Sequence, residues 1–156
     1  KVLLIALIVF VMLNFFGKNF LGDGATYGIG FFVGYILLKI SLMNNYISPY
    51  FIANLLFYPA LENLFSILRR NMAKKNNYLP DNEHLHHLIF KFFKKKRLIE
   101  NNVLLSSFVG ILINFILFIN YMISFKFYGH TLTQLLMIIL LTSLYLIFYL
   151  YLKKKC

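Results

Sequence analysis

The chain has 156 residues, of which 60% are hydrophobic, and a mean hydropathy of +0.73. An ordinary soluble domain is nearer half apolar, so this composition excludes a water-soluble globule and points to an integral membrane protein. The formal charge of +11 invites a nucleic-acid partner, but 13 of the 16 basic residues sit at Lys18, between Arg69 and Arg97, and at Lys153 to Lys155. They occupy alternate loops, the pattern of basic residues held on one side of a membrane, and no nucleic acid is expected as a partner.

Five apolar runs follow one another: Val2–Phe16, Ala25–Met43, Tyr46–Leu68, Val103–Ser124 and Leu132–Leu152. They are continuous rather than alternating, which excludes a β-barrel, and helix is the economical way to satisfy a backbone in lipid. The expected fold class is therefore all-α, a multi-pass transmembrane helical bundle in a single membrane domain. Val2–Phe16 rises only about 22 Å against a hydrocarbon core of ~30 Å. Leu13–Lys18 lacks a small-x-small cleavage pattern, which argues against a signal peptide. We expect a first helix that lacks its beginning, and a chain that is the C-terminal part of a longer protein.

The charge asymmetry orients the runs. The stretch Gly17 to Gly24 is expected on the cytoplasmic side, Asn44-Asn45 outside, Arg69–Asn102 as a large cytoplasmic loop, Phe125–Thr131 outside, and Lys153 to Lys155 inside again. Within Ala25–Met43, Gly30 and Gly34 are spaced for close helix approach or for ordinary packing, and Lys39 can snorkel to headgroups. Tyr46–Leu68 carries Pro59, expected to kink it, and Glu62, a carboxylate inside an apolar span. The structural role expected for Glu62 is as a partner for Arg69 or Arg70. Cys156 is the single cysteine, so no internal disulfide can form.

Two polar clusters then stand out, both on the cytoplasmic side of this topology. Asp23, between Gly22 and Gly24 at a helix start, would either hold a hard cation such as Mg²⁺ beside amides that favour anions, or be a helix N-cap and nothing more. In the long loop, Pro80 followed by Asp81 reads as a stop and an N-cap, after which His84, His87 and Phe90 or Lys91 would share one helical face. His86 would point elsewhere unless the backbone is irregular. Three imidazoles without a cysteine fit zinc poorly; they can donate hydrogen bonds to phosphate, exchange protons, or be a solvated loop. Lys94 to Arg97 reads as an anchor to anionic headgroups among the membrane lipids.

Order and topology add a resemblance. The segment from Gly17 to Gly30, with Phe20-Leu21-Gly22-Asp23-Gly24-Ala25-Thr26, resembles the Phe-x-Gly-Asp-(Ala/Ser)-Gly-Ser box of the polyprenyl-phosphate N-acetylhexosamine-1-phosphate transferases, glycosyltransferase family 4. Pro59, Glu62, Arg69 and Arg70 resemble the family's Pro-acid-Arg-Arg helix, and Pro80-Asp81-Asn82-Glu83-His84-Leu85-His86-His87 its Pro-Asp-x-x-His-(Ile/Leu)-His-His loop. The resemblance covers roughly residues 14 to 90. It implies transfer of N-acetylhexosamine-1-phosphate from a UDP-N-acetylhexosamine to undecaprenyl phosphate, releasing UMP, with Mg²⁺ (or Mn²⁺) at the diphosphate.

By residue, it implies Asp23 as the metal ligand and a catalytic residue. It also implies His84, His86 and His87 as catalytic and nucleotide-sugar-binding residues, and Arg69, Arg70 and Asp81 as weaker substrate-side candidates. A bacterial inner membrane and, as an oligomer, a homodimer go with this reading. The loop looks more like the branch that starts O-antigen, teichoic acid or exopolysaccharide assembly. Two departures are plain: Gly24-Ala25-Thr26 replaces the usual (Ala/Ser)-Gly-Ser, and the family's earlier Asp-Asp and Asn-x-x-Asp-Gly motifs do not occur. This chain alone is therefore expected to be inactive. The alternative from another class is a transporter or lipid-binding helical bundle with Glu62 on the substrate path, although no internal repeat supports it.

Overall fold

The computed structural model describes residues 2–73, 83–97 and 99–155, and the described residues are helical or in short turns, with no strand. Seven helices follow in order: α1 (Val2–Phe15), α2 (Asp23–Met43), α3 (Pro49–Leu55), α4 (Phe57–Met72), α5 (Leu85–Lys95), α6 (Asn102–Lys126) and α7 (Thr131–Lys155). The all-α expectation holds. Helices α2, α6 and α7 are long and apolar enough to cross a membrane, and α3 with α4 makes a fourth such unit if that bent pair counts as one span. Large apolar side chains such as Phe31, Leu42, Phe115 and Ile147 face outward, and α2 buries none of its residues. Helices apolar on every side suit hydrocarbon rather than water.

Helix α1 stops at Gly17. Its φ of +68° lets Gly17 N–H reach Asn14 O (2.8 Å) and Lys18 N–H reach Leu13 O (3.0 Å), the paired bonds that close a helix end on a left-handed residue. A Cβ there would also stand 2.9 Å from Val103 Cγ1, so Gly17 is required both by its φ and by its neighbour. α2 then starts at Asp23 with Gly22 as N-cap, a role the side chain of Asp23 does not fill.

The expected span over 46–68 is broken rather than kinked. Ser48 caps α3 by accepting from Tyr50 N–H, with Pro49 in the first turn, and α3 meets α4 at Leu56 with a bend of 73°. The break precedes Pro59 by three residues for a steric reason: a proline ring meets the carbonyl four residues back, here that of Leu55, and offers it no N–H.

Two ends of the bundle are defined by contacts. At one, Ser48 N–H donates to Tyr128 O (3.0 Å), joining the turn after α2 to the turn between α6 and α7. Beside it a buried polar network ties α3, α6 and α7: Asn54 Nδ2 donates to Gln134 Oε1 (3.1 Å) and Ser124 Oγ (3.2 Å), and Asn120 Nδ2 to Asn54 Oδ1 (3.0 Å). At the other end, Ser107 Oγ on α6 donates to Phe15 O (2.8 Å), and α5 lies across the start of α6 and the end of α7. We call this the basic end, because it gathers Lys18, Arg69, Lys91 to Arg97 and Lys153 to Lys155; Lys95 Nζ there reaches Lys155 O at 2.9 Å. The loop before Asp23 begins at this end, and the histidines lie on the element that crosses it.

α5 is amphipathic. Leu85, Leu88 and Ile89, at the three- and four-residue spacing of one face, are buried against Val109 of α6 and Tyr145, Tyr149 and Leu152 of α7. Phe65 of α4 completes this core, its ring meeting Tyr149 edge-on at 4.7 Å.

Candidate functional site

Three constraints fix the start of α5 and hence the histidines. His84 is its N-cap, extended at φ −64° and ψ 153°, and its own side chain caps nothing. The expected N-cap, Asp81, lies outside the described residues. The carboxylate that serves the first turn comes instead from α4: Glu62 Oε1 accepts from Leu85 N–H (3.0 Å) and from the Tyr58 hydroxyl (3.2 Å), and Glu62 Oε2 stands 2.8 Å from His84 Nδ1. Glu62 is buried. Its partners are thus the histidine loop and Tyr58, not Arg69 or Arg70 as the sequence suggested.

Arg69 has other duties. Nη1 donates to Glu83 O (2.6 Å) and to Tyr149 Oη (2.6 Å), and lies 3.6 Å from Glu83 Oε2, which also takes Lys153 Nζ at 3.0 Å. The residue just ahead of His84 is therefore clamped between α4 and α7. Hydrogen bonds involving a charged group contribute about 1.5–3 kcal/mol each. Arg70, half-buried, lies one residue further along α4.

The extended backbone at His84 is the irregularity that brings His86 into the group. His84 and His86 rings stack at 5.5 Å with 9° between planes, His86 and His87 lie 4.2 Å apart, and His84 and His87 6.2 Å. Crowding has an electrostatic consequence. Desolvation first, then the charge of His87, holds the His86 imidazole below its usual range, with Glu62 pulling it up and His84 pushing it further down.

A cavity of about 400 Å³ opens beside the rings, lined by His86 and His87 of α5, Tyr58 of α4, and Ser106 and Asn114 of α6 among others. A second, almost wholly apolar cavity of about 330 Å³ lies against it, sharing Tyr58 and Ile113 and lined by residues such as Phe57, Leu85, Leu144 and Phe148. An imidazole-rimmed space next to an apolar one suits a ligand with an anionic head and a greasy remainder.

Asp23 stands apart from this cluster. It is the exposed first residue of α2, and its carboxylate joins no hydrogen bond or ion pair among the described residues. The N-terminal position favours an anion through the helix dipole. Among the described residues no group of three or more His, Cys, Asp or Glu side chains is arranged to hold a metal ion, so they do not by themselves assemble an Mg²⁺ site. Sequence reasoning found the histidines and Arg69 but missed the link from Glu62 to His84 and the clamp on Glu83. The available signal was the carboxylate inside an apolar span, which called for a named partner.

Comparison with protein-family models, curated proteins and solved structures finds no match for this chain.

Proposed function

We propose that this chain is part of a polyprenyl-phosphate N-acetylhexosamine-1-phosphate transferase, acting at the cytoplasmic face of a bacterial inner membrane. The observation that supports it best is the gathering of His84, His86 and His87, with Arg69 clamping the residue before them, where His86 and His87 line a cavity that shares Tyr58 and Ile113 with an apolar one. Imidazoles in one place are suited to phosphate oxygens, and the apolar space to a lipid. That the loop leading to Asp23 starts at the same end of the bundle is consistent with one reaction centre.

In this reading the phosphate of undecaprenyl phosphate attacks the β-phosphorus of UDP-N-acetylhexosamine; the new P–O bond gives a lipid-diphosphate sugar as the bond to UMP breaks. Mg²⁺ or Mn²⁺ would be the cofactor, and Asp23 is the residue of this chain that would help to hold it. The remaining oxygens would come from the diphosphate, water and carboxylates such as the family's Asp-Asp pair. His86 and His87 meet negative charge on the substrates, while Arg69 holds the residue ahead of the histidines; Arg70 and Asp81 are secondary candidates.

The test is a transfer assay on the full-length protein in lipid nanodiscs, with UDP-N-acetylglucosamine and undecaprenyl phosphate. UMP release that requires both the lipid phosphate and a divalent cation is expected; no release with either UDP-N-acetylglucosamine or UDP-N-acetylgalactosamine would overturn the reading. The transporter alternative draws on the broken α3–α4 pair, a form seen around transported ligands. Against it, Glu62 is taken by three protein partners rather than left facing a path.

A further inference from the structure

The cavity beside His86 and His87 has a second wall, which the reaction described above does not use. Ser106, Gly110 and Asn114 of α6 all line it. They are four residues apart, so they share one face of the helix and climb it by about 6 Å per step. Tyr58 of α4 and the two imidazoles of α5 bound the same space, so this face borders a cavity between three helices. Gly110 keeps the middle of the wall open: a Cβ there would meet no protein atom within 4 Å, so the missing side chain accommodates no neighbour. Asn114 supplies the polar contact. Its Nδ2 donates to Gly110 O at 2.9 Å, and a carbonyl only accepts, so this bond fixes which end of the amide is nitrogen. Oδ1 is then an acceptor with no partner among the described residues. An amide in an apolar span costs more than a leucine would, and an acceptor left over at a cavity is placed to meet a ligand.

We propose that Ser106, Gly110 and Asn114 form a specificity-determining wall for the neutral, hydroxyl- or amide-bearing part of a phosphate ester whose anionic part meets His86 and His87. The ligand class follows from the groups present. Imidazoles suit an anion, the Asn114 oxygen accepts only from an O–H or N–H, and the Ser106 hydroxyl serves as donor or acceptor. Phe90, Val109 and Ile113 add apolar surface for the carbon face of a ring. A sugar phosphate has all of these features. A prenyl phosphate has no donor outside its phosphate; its chain matches the adjoining apolar cavity, whose lining includes no amide and no serine. That the sugar is an N-acetylhexosamine rests on the transferase reading above, whereas the wall calls only for a phosphate ester that carries such donors.

Two substitutions test the wall in the full-length protein in lipid nanodiscs. Asn114→Leu removes the acceptor at similar volume and gives up only a bond to its own helix. Gly110→Ala puts a methyl group into the open middle of the wall while favouring the helix, since alanine is the better helix former, so a loss of binding is not a loss of fold. Binding of N-acetylglucosamine 1-phosphate and of farnesyl phosphate is followed separately by ³¹P NMR titration. Asn114→Leu is expected to weaken the sugar phosphate about fivefold or more, the scale of one hydrogen bond, and to leave farnesyl phosphate within about twofold. Gly110→Ala should weaken the sugar phosphate at least as much. No binding of N-acetylglucosamine 1-phosphate to the wild type overturns the proposal. So does unchanged sugar-phosphate affinity in either variant, or an equal loss of both probes in Asn114→Leu. In the transfer assay, KM for the UDP-sugar should rise about fivefold in Asn114→Leu while KM for undecaprenyl phosphate holds. A wild type that binds the sugar phosphate through this wall but releases no UMP refutes the transferase reading and leaves the wall standing. Transfer with wild-type KM values in both variants refutes the wall and leaves the transferase reading standing.

Discussion

The candidate site depends on how firmly α5 is docked, and Leu88→Ala tests that dependence. Leu88 is 4% exposed, in the middle of the α5 face that meets Val109, Tyr145, Tyr149 and Leu152. The substitution removes three carbons, worth about 2.4 kcal/mol at ~0.8 kcal/mol each. The cavity left behind adds to this, because Tyr145 and Tyr149 sit on rigid α7 and cannot collapse into it, giving about 3 kcal/mol within the usual range for such truncations. At ~1.4 kcal/mol per decade, the population with α5 undocked rises about 100-fold. Hydrogen–deuterium exchange of the α5 amides in nanodiscs reads this directly, with Lys94→Ala, an exposed change on the same helix, as the control. Transfer by Leu88→Ala should fall with it, since His86 and His87 ride on this helix. Exchange within about threefold of wild type would refute the reasoning, and would mean that Arg69 and Glu62 hold the loop without help from the apolar face.

Asp23→Asn in the full-length protein keeps the volume and loses the charge, and is expected to lower transfer ~100-fold or more at normal expression; activity within about threefold at saturating Mg²⁺ would remove Asp23 from the reaction. Single cysteines at Asn44 and Glu100, in a Cys156→Ser background, should label from opposite sides of a sealed membrane; labelling of both from one side would refute the topology. Because the fold lowers the proton affinity of His86, the folded loop binds fewer protons than the unfolded one below the ordinary histidine value of about 6.5. Its stability should be full above that pH and decline as the pH falls toward the lowered value. Protection of the amides at the start of α5, corrected for the intrinsic pH dependence of exchange, should therefore fall from pH 7.5 to 5.5 in wild type and not in His86→Gln, and an equal change in both would exclude His86 as the cause.

Uniform hydrophobicity made α2 and α7 legible in the sequence. The run from Ala25 to Met43 is the helix Asp23–Met43, and Leu132–Leu152 is the centre of Thr131–Lys155. Such spans are fixed by a local quantity, transfer of side chains into hydrocarbon, and need no knowledge of neighbours. The break at Leu56 was legible only as a kink at Pro59, because a proline acts on the preceding turn and the chain can answer by bending or by stopping. The start of α5 was misplaced for a different reason. A local cap was sought in Asp81, but the carboxylate that meets Leu85 N–H is supplied by Glu62, 23 residues earlier on another helix. His84, as the N-cap, is extended and stacks on His86, a juxtaposition that helical spacing within the loop does not show.

The two polar assemblies of the bundle are unlike in a way that bears on function. At the end away from the basic residues, the amides and hydroxyl of Asn54, Ser124 and Gln134 bond to one another and to the backbone: Gln134 Nε2 reaches Ser124 O (2.7 Å) and Phe127 O (3.0 Å), and Ser124 Oγ reaches Gln134 Oε1 (2.7 Å). These residues are 0% exposed and contain no group that titrates near neutral pH. Among the described residues, Asn120 Oδ1 is the one acceptor of this network left without a partner, and the rest bond among themselves, which stabilises a helix crossing. At the basic end the balance is reversed. Glu62 and Arg69 spend their bonding capacity on the loop backbone, on Tyr58 and Tyr149, and on one imidazole, while His86 and His87 line an open cavity. Buried charges cost several kcal/mol to desolvate unless paired, so a fold that only needed to hold α5 in place could do so with apolar residues at less cost. Glu62 and Arg69 instead hold the residues that lead into α5, and His86 and His87 follow on the cavity side of that support.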